Sequence, residues 1–131
     1  MATKGYEVIY KDGRKIIKGT GSYPLRCVKD LKELVNGAAE RYGSKNAFKY
    51  KADGRVVTKS YIDLKNDVDA LGTALYELGL NGASIAIIGE NRYEWGTAYF
   101  SVINGLGRGI PLDKHLPAAE IVNLIKRSKA E

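Results

Sequence analysis

Glu90 and Asn91 follow the apolar run of SIAIIGENRYEW and precede what reads as the first turn of a helix. A buried strand that feeds a helix through a short polar loop presents free backbone N–H groups and a positive dipole end, which by itself is a weak anion site. Phosphate chemistry demands more. A dinucleotide fingerprint needs G-x-G-x-x-G and a phosphate loop needs G-x-x-x-x-G-K-[ST], because only glycine lets the backbone approach the phosphates. Neither pattern occurs in the chain. Gly105 and Gly107 fall at the end of a helical stretch and read as a C-terminal cap and turn. Glu90 is the single carboxylate of the junction, and no serine, histidine or lysine is placed beside it to complete an acid/base or nucleophilic pair. Trp95 and Tyr99, at helical spacing, read as core rather than as cofactor stackers. His115 has no second histidine and reads as a loop residue before Pro117. Cys27, the lone cysteine, excludes an internal disulfide and a cysteine-rich zinc site, and reads as a buried or idle thiol. No residue is therefore assigned as catalytic, cofactor-binding or metal-ligating.

The elements that must carry this junction have their own signals. Asp12-Gly13 and Asp53-Gly54 each sit between β-rich segments and predict two hairpins, since Asp-Gly supplies the positive φ angles of tight primed turns. Between them, VKDLKELVNGAAERYG places Val28, Leu31, Leu34, Val35, Ala38 and Tyr42 on one helical face. Asp30 and Glu33 there form a candidate capping box, and Gly43 is the stop. Leu64, Val68, Leu71, Leu75 and Leu78 step by four and three, a helix capped by Ser60 and ended by Gly79. A buried strand over residues 84 to 88 follows, then a helix capped by Asn91 with Glu94 and running through Trp95, Ala98, Tyr99, Val102 and Ile103. A strand over residues 108 to 112 completes a β-α-β unit. Pro117 opens a last helix with Ile121, Leu124 and Ile125 inward. The fold expected is α/β: a partial doubly wound parallel sheet with flanking helices and N-terminal hairpins, part of a larger N-terminal domain. The chain ends at Ser-Lys-Ala-Glu without the next parallel strand, which is expected of a truncated piece.

The 131 residues fit one domain, with 44% hydrophobic content for its core. No apolar run is long enough for a signal peptide or a membrane span, so the expected compartment is the cytoplasm. The net charge of +6 is unevenly spread. Residues 1 to 60 hold 14 Lys/Arg against 6 Asp/Glu, and residues 61 to 131 hold 7 against 9. The basic residues Lys11, Arg14, Lys15, Lys18, Arg26, Lys29 and Lys32 are spread singly, without the clustering that would point to nucleic acid. A solvated face is the reading, with weak attraction to anionic surfaces as the lesser one.

Taken in order, TKSYIDLKNDVDALGTALYELGL, IAIIGENRYEWGTAYFSVINGLGRGIPLD and LPAAEIVNLIKRS resemble the N-terminal portion of the adenylate-forming AMP-dependent synthetases and ligases, most of all the long-chain fatty acid:CoA ligases. The resemblance covers about Val28 to Glu131 and rests on the Tyr61 to Leu64 helix start, the Glu90 to Trp95 block and the Pro111 to Asp113 triplet. It implies a division into an N-terminal hairpin extension, residues 1–27, and an α/β subdomain, residues 28–131. It also implies, for the full-length parent, ATP, Mg2+ and CoA as cofactors and a fatty acid as substrate. The carboxylate would attack the α-phosphate of ATP, and the CoA thiol would then displace AMP. The family's catalytic motifs would lie beyond Glu131, so the 131 residues alone are expected to be inactive. The expected partners are the rest of the polypeptide, a second copy through surfaces left open, and a membrane surface touched peripherally, but no nucleic acid. The alternative reading is a free-standing basic binding module of flavodoxin-like α/β type.

Overall fold

The computed structural model describes residues 5–19 and 27–131. Of the expected N-terminal extension, residues 1–4 and 20–26, Arg26 among them, lie outside the described residues. Both Asp-Gly pairs make hairpins: β1 (Tyr6–Lys11) with β2 (Arg14–Gly19), and β3 (Asn46–Ala52) with β4 (Arg55–Ser60). The turn residues take the left-handed conformation, with φ of 51° and 72° at Asp12 and Gly13 and 50° and 74° at Asp53 and Gly54, as a primed turn requires.

Helix α1 (Leu31–Tyr42) starts at Asp30, whose side chain accepts the Glu33 N–H at 2.7 Å. The reciprocal bond comes from the Lys29 N–H to the Glu33 carboxylate at 2.9 Å, one residue earlier than in a capping box. The buried residues of α1 are Val35, Gly37 and Ala39, so of the expected face Val35 alone is buried and the rest is corrected. Leu31, Leu34 and Tyr42 are exposed, Ala38 is half-buried, and Val28 precedes the helix. Small residues there let α1 lie against α2 (Tyr61–Glu77).

Helix α2 follows β4 directly. Ser60 Oγ accepts the Asp63 N–H at 3.0 Å while Asp63 accepts the Ser60 N–H at 2.8 Å, a complete capping box. Gly79, at φ 84°, follows its end. Leu64 and Val68 are buried with Tyr93, and Phe48, Tyr50 and Phe100 pack around them. This cluster joins the second hairpin, α2 and α3 (Tyr93–Ser101). The Ser101 hydroxyl, buried, lies 3.0 Å from the Val68 carbonyl and 2.7 Å from that of Thr97, so its one proton ties α3 to α2 or back onto its own turn.

The β-α-β unit is built as its sequence signals require: β5 (Ser84–Ile88), α3, then β6 (Arg108–Leu112), the strands parallel with Ser84 opposite Arg108 and Ile88 opposite Leu112. Between α3 and β6 the helix widens into a π turn over Val102–Leu106, closed by the Gly107 N–H donating to Val102 O at 2.9 Å. Gly105, at φ 121°, releases the chain. Helix α4 (Ala118–Ser128) starts after Pro117, with Ile121, Leu124 and Ile125 half-buried. No strand follows α4 among the described residues, and a single bridge reaches β5 instead. Ala130 pairs in parallel with Ser84, and the Glu131 N–H donates to Ser84 O at 2.8 Å, on β5. The molecule is thus an α/β assembly of small sheets with flanking helices.

Candidate functional site

Parallel strands that end side by side must place their following loops side by side, and ligands of α/β sheets gather at that end. Here the loop after β5 carries Gly89, Glu90, Asn91 and Arg92, and the loop after β6 carries Asp113, Lys114 and His115. Lys114 Nζ donates to Glu90 Oε1 at 2.7 Å and ties the two loops. That hydrogen bond and the Lys114 charge hold the Glu90 carboxyl below its usual range. An exposed carboxylate with its pKa lowered is a poor base near neutrality. The pair is a tether between loops. It also corrects the expectation that no lysine or histidine stands beside Glu90, since Lys114 and His115 both face the same cleft. The missed signal was register: two loops that follow neighbouring parallel strands are neighbours, although 24 residues separate Glu90 from Lys114.

Asn91 does not cap α3. The boundary residue is Arg92, without a side-chain cap, and its N–H donates to Glu90 O at 2.8 Å. The chain makes that tight turn first, so the helix begins one residue later and Asn91 stands exposed in the loop. Trp95 is half-buried and stacks on Tyr99, with centroids 5.4 Å apart and an interplanar angle of 10°. It is not core in the expected sense, because it lines two clefts.

The first cleft, about 500 Å³, is polar: Glu90, Lys114, Asp113 and His115 surround it. His115 sits in an Asx turn, its N–H donating to Asp113 Oδ1 at 2.9 Å. The second, about 580 Å³, opens on the other side of Trp95 and Asn91 and is aromatic and basic, lined by Phe48, Tyr50, Tyr93, Lys49, Lys51 and Arg92. Beneath it Tyr93 donates to Asp67 Oδ2 at 2.7 Å, and Lys59 Nζ donates to the same oxygen at 2.8 Å. The Lys59 and Tyr93 hydrogen bonds lower the Asp67 pKa; burial, then the Asp67 hydrogen bond, raises that of Tyr93. This triad positions the start of α3 without offering a group that titrates near neutrality.

Cys27 is exposed, so the buried alternative for its thiol is set aside. Among the described residues no group of three His, Cys, Asp or Glu side chains could hold a metal ion, and no helix is long and apolar enough to cross a membrane. What this surface can do is present a shaped rim of loops. The described groups assemble neither a nucleophile with its base nor a phosphate cradle.

The sequence model of the family described as AMP-binding enzyme matches residues 35–131. No curated protein matches the chain. Among solved structures, IdnL1 superimposes with a TM-score of 0.73 at 19% identity, over 80% of this chain and 22% of that one. The N-terminal subdomain of NpsA from Klebsiella oxytoca superimposes with a TM-score of 0.70 at 16% identity, over 79% and 26%. The nonribosomal peptide synthetase FmoA3, in its alpha-methyl-L-serine-AMP bound form, gives 0.67 at 21% identity, over 81% and 12%. These likenesses show the fold. The chain spans about a fifth to a quarter of the length of the first structures it matches.

Proposed function

The chain belongs to the AMP-binding enzyme family, and from that premise we propose that it is the N-terminal scaffold of an ATP-dependent acid-activating ligase. Residues 28–131 form the α/β subdomain and residues 1–27 an extension before it. The observation that carries this reading is the family match over residues 35–131, which takes in the whole β5-α3-β6 unit and its strand-end loops.

The full-length protein joins a carboxylic acid to AMP, as in the bound form of FmoA3, with release of pyrophosphate. A free carboxylate is a poor electrophile, and the mixed anhydride with AMP gives it a good leaving group. Positioning and charge stabilisation supply most of the rate of such a step. We assign CoA as the acceptor and a long-chain fatty acid as the substrate on the likeness of the Glu90–Trp95 and Pro111–Asp113 blocks to fatty acid:CoA ligases. The protein then works in the cytoplasm.

Magnesium-bound ATP does not fit the described residues as a self-sufficient site: they lack a glycine-rich phosphate loop and a cluster of metal-binding acids. The role of this part is to place the strand-end loops and to bury the face of α2. The test is acid-dependent exchange of labelled pyrophosphate into ATP by the full-length protein, offered fatty acids of increasing length, short acids and amino acids. Exchange that grows with chain length supports the fatty acid assignment. Exchange with amino acids alone overturns it, and no exchange with any acid overturns the adenylating reading.

A further inference from the structure

Three Asn-Gly dipeptides occur in the chain, at 36–37, 81–82 and 104–105. Asparagine is a thermolabile residue, and a following glycine, without a Cβ, leaves its backbone nitrogen open to the side-chain carbonyl carbon. The local backbone decides which pair is able to react. Asn36 lies inside α1 with Gly37 buried. Asn104 lies in the π turn, where Gly105 alone leaves helical angles and the Asn104 side-chain oxygen is buried. A helical ψ, about −42°, turns the following nitrogen away from Cγ, and changing it opens the helix. Asn81 is placed differently. It sits in the turn between α2 and β5, closed by the Ala83 N–H donating to Leu80 O at 3.2 Å, with Gly82 at φ 79°. Both residues are exposed, and a Cβ built on Gly82 would meet nothing within 4 Å, so the turn has room for a ring. What restrains the attacking nitrogen is the hydrogen bond from the Gly82 N–H to Leu106 O at 2.6 Å.

We propose that Asn81–Gly82 is a site of spontaneous deamidation, gated by the Gly82–Leu106 hydrogen bond. The proposal is independent of the acid-activating reading. When the bond opens, the Gly82 nitrogen attacks Asn81 Cγ. The N–Cγ bond forms, the Cγ–Nδ2 bond breaks, and the side-chain nitrogen leaves as ammonia with the proton from Gly82. Water then opens the five-membered imide. Addition at Cγ leaves aspartate, and addition at the Asn81 main-chain carbonyl leaves isoaspartate, whose backbone runs through Cβ and Cγ. Both reacting atoms belong to one dipeptide, so the reaction takes no partner besides water. The isoaspartate product has one more backbone carbon in the turn that delivers the buried Ala83 and Ser84 to β5. It therefore loosens the seam where Gly82 is bonded to Leu106 O and the Arg108 N–H to Ala83 O.

The test is incubation of the 131-residue chain in mildly alkaline buffer, folded and in urea, followed by ammonia release and by peptide mapping with mass spectrometry. What lies over the turn in a longer protein does not enter this experiment. In the folded chain Asn81 is expected to convert at least about tenfold faster than Asn36 or Asn104, each of which needs several helical bonds opened. In urea the three rates are expected to converge. One hydrogen bond holds the Gly82 nitrogen, so folding is expected to slow Asn81 only about two- to tenfold. Hydrogen exchange of the Gly82 amide should be protected by that same factor, since both processes need the bond open. Asn81→Gln is expected to remove the mass change at this position. The isoaspartate fraction is expected to unfold at a lower urea concentration than Asn81→Asp, which stands for the other product. A folded chain that releases no ammonia overturns the proposal, as does one that converts Asn36 or Asn104 as fast as Asn81. A protected Gly82 amide beside an Asn81 rate equal in folded and unfolded chains overturns the gate, and equal urea midpoints for the two products overturn the loosening.

Discussion

Gly107 stands where the π turn hands the chain to β6, and its lack of a side chain is a packing requirement. A Cβ built there would fall inside contact distance of the Ala83 carbonyl oxygen and 3.2 Å from both Ala83 C and Ala83 N. Those atoms are backbone and cannot swing aside. Relief requires moving residues 107 and 83 apart, which stretches the Arg108 N–H bond to Ala83 O, now 2.9 Å, and the Gly82 N–H bond to Leu106 O, now 2.6 Å. Two such bonds contribute about 1 kcal/mol each, and strain in a packed interior adds about 1 to 2 kcal/mol. Gly107→Ala should therefore destabilise the chain by about 3 to 4 kcal/mol. The control is Gly96→Ala in α3, where the nearest atom to a new Cβ is Phe48 Cζ at 3.9 Å. Alanine there should stabilise by about 0.5 kcal/mol through helix propensity. Urea denaturation followed by Trp95 fluorescence and by circular dichroism measures both. A Gly107→Ala loss below about 1 kcal/mol would refute the packing argument.

Four further outcomes are expected. Tyr93→Phe removes the hydroxyl bonded to Asp67 and should cost about 1 kcal/mol in the same denaturation assay, because Lys59 still satisfies a partly exposed carboxylate. Ser60→Ala removes the cap of α2 and should cost about 1 kcal/mol, with Ser60→Asp recovering most of it. Lys114→Ala should leave the midpoint unchanged within error, since the Glu90 pair is exposed, while raising the Glu90 pKa seen by NMR titration. The pH profile has two limbs. Asp63 and Asp67 are held below their ordinary 3.8, so the stability they contribute is present above that value and lost as pH falls through it. Tyr93 and Lys59 are held above their ordinary 10.0 and 10.5, so theirs is present below those values and lost as pH rises past them. Thermal melts should show a plateau from about pH 5 to pH 9; a maximum below pH 4 would contradict the assignment.

Features decided by neighbours in sequence were legible. The two Asp-Gly turns, the Ser60 cap and the strands at 84–88 and 108–112 depend on a few adjacent residues, and the structure has them where they were expected. Features decided by what an element packs against were not. The inward side of α1 keeps Val35 from the expected face but adds Gly37 and Ala39 because α2 lies there, and the apolar pattern alone could not rank those small residues above Leu31 and Leu34. Thr97 and Ser101, to which the sequence pattern assigns no role, are buried in α3, since each hydroxyl finds a carbonyl one turn back. Asn91 fits a cap by type and spacing, yet the turn closed by Arg92 onto Glu90 O takes the chain past it. The Glu90–Lys114 tether required knowing that the two strands are adjacent.

The central claim is that these residues form a scaffold and that the adenylating chemistry is carried elsewhere in the polypeptide. The most direct measurement is pyrophosphate release from ATP by the purified 131-residue chain, with saturating fatty acid and magnesium, beside the full-length protein under the same conditions. The account predicts acid-dependent release from the full-length protein and none above the enzyme-free rate from the shorter chain. Acid-dependent release from the 131 residues alone would contradict it.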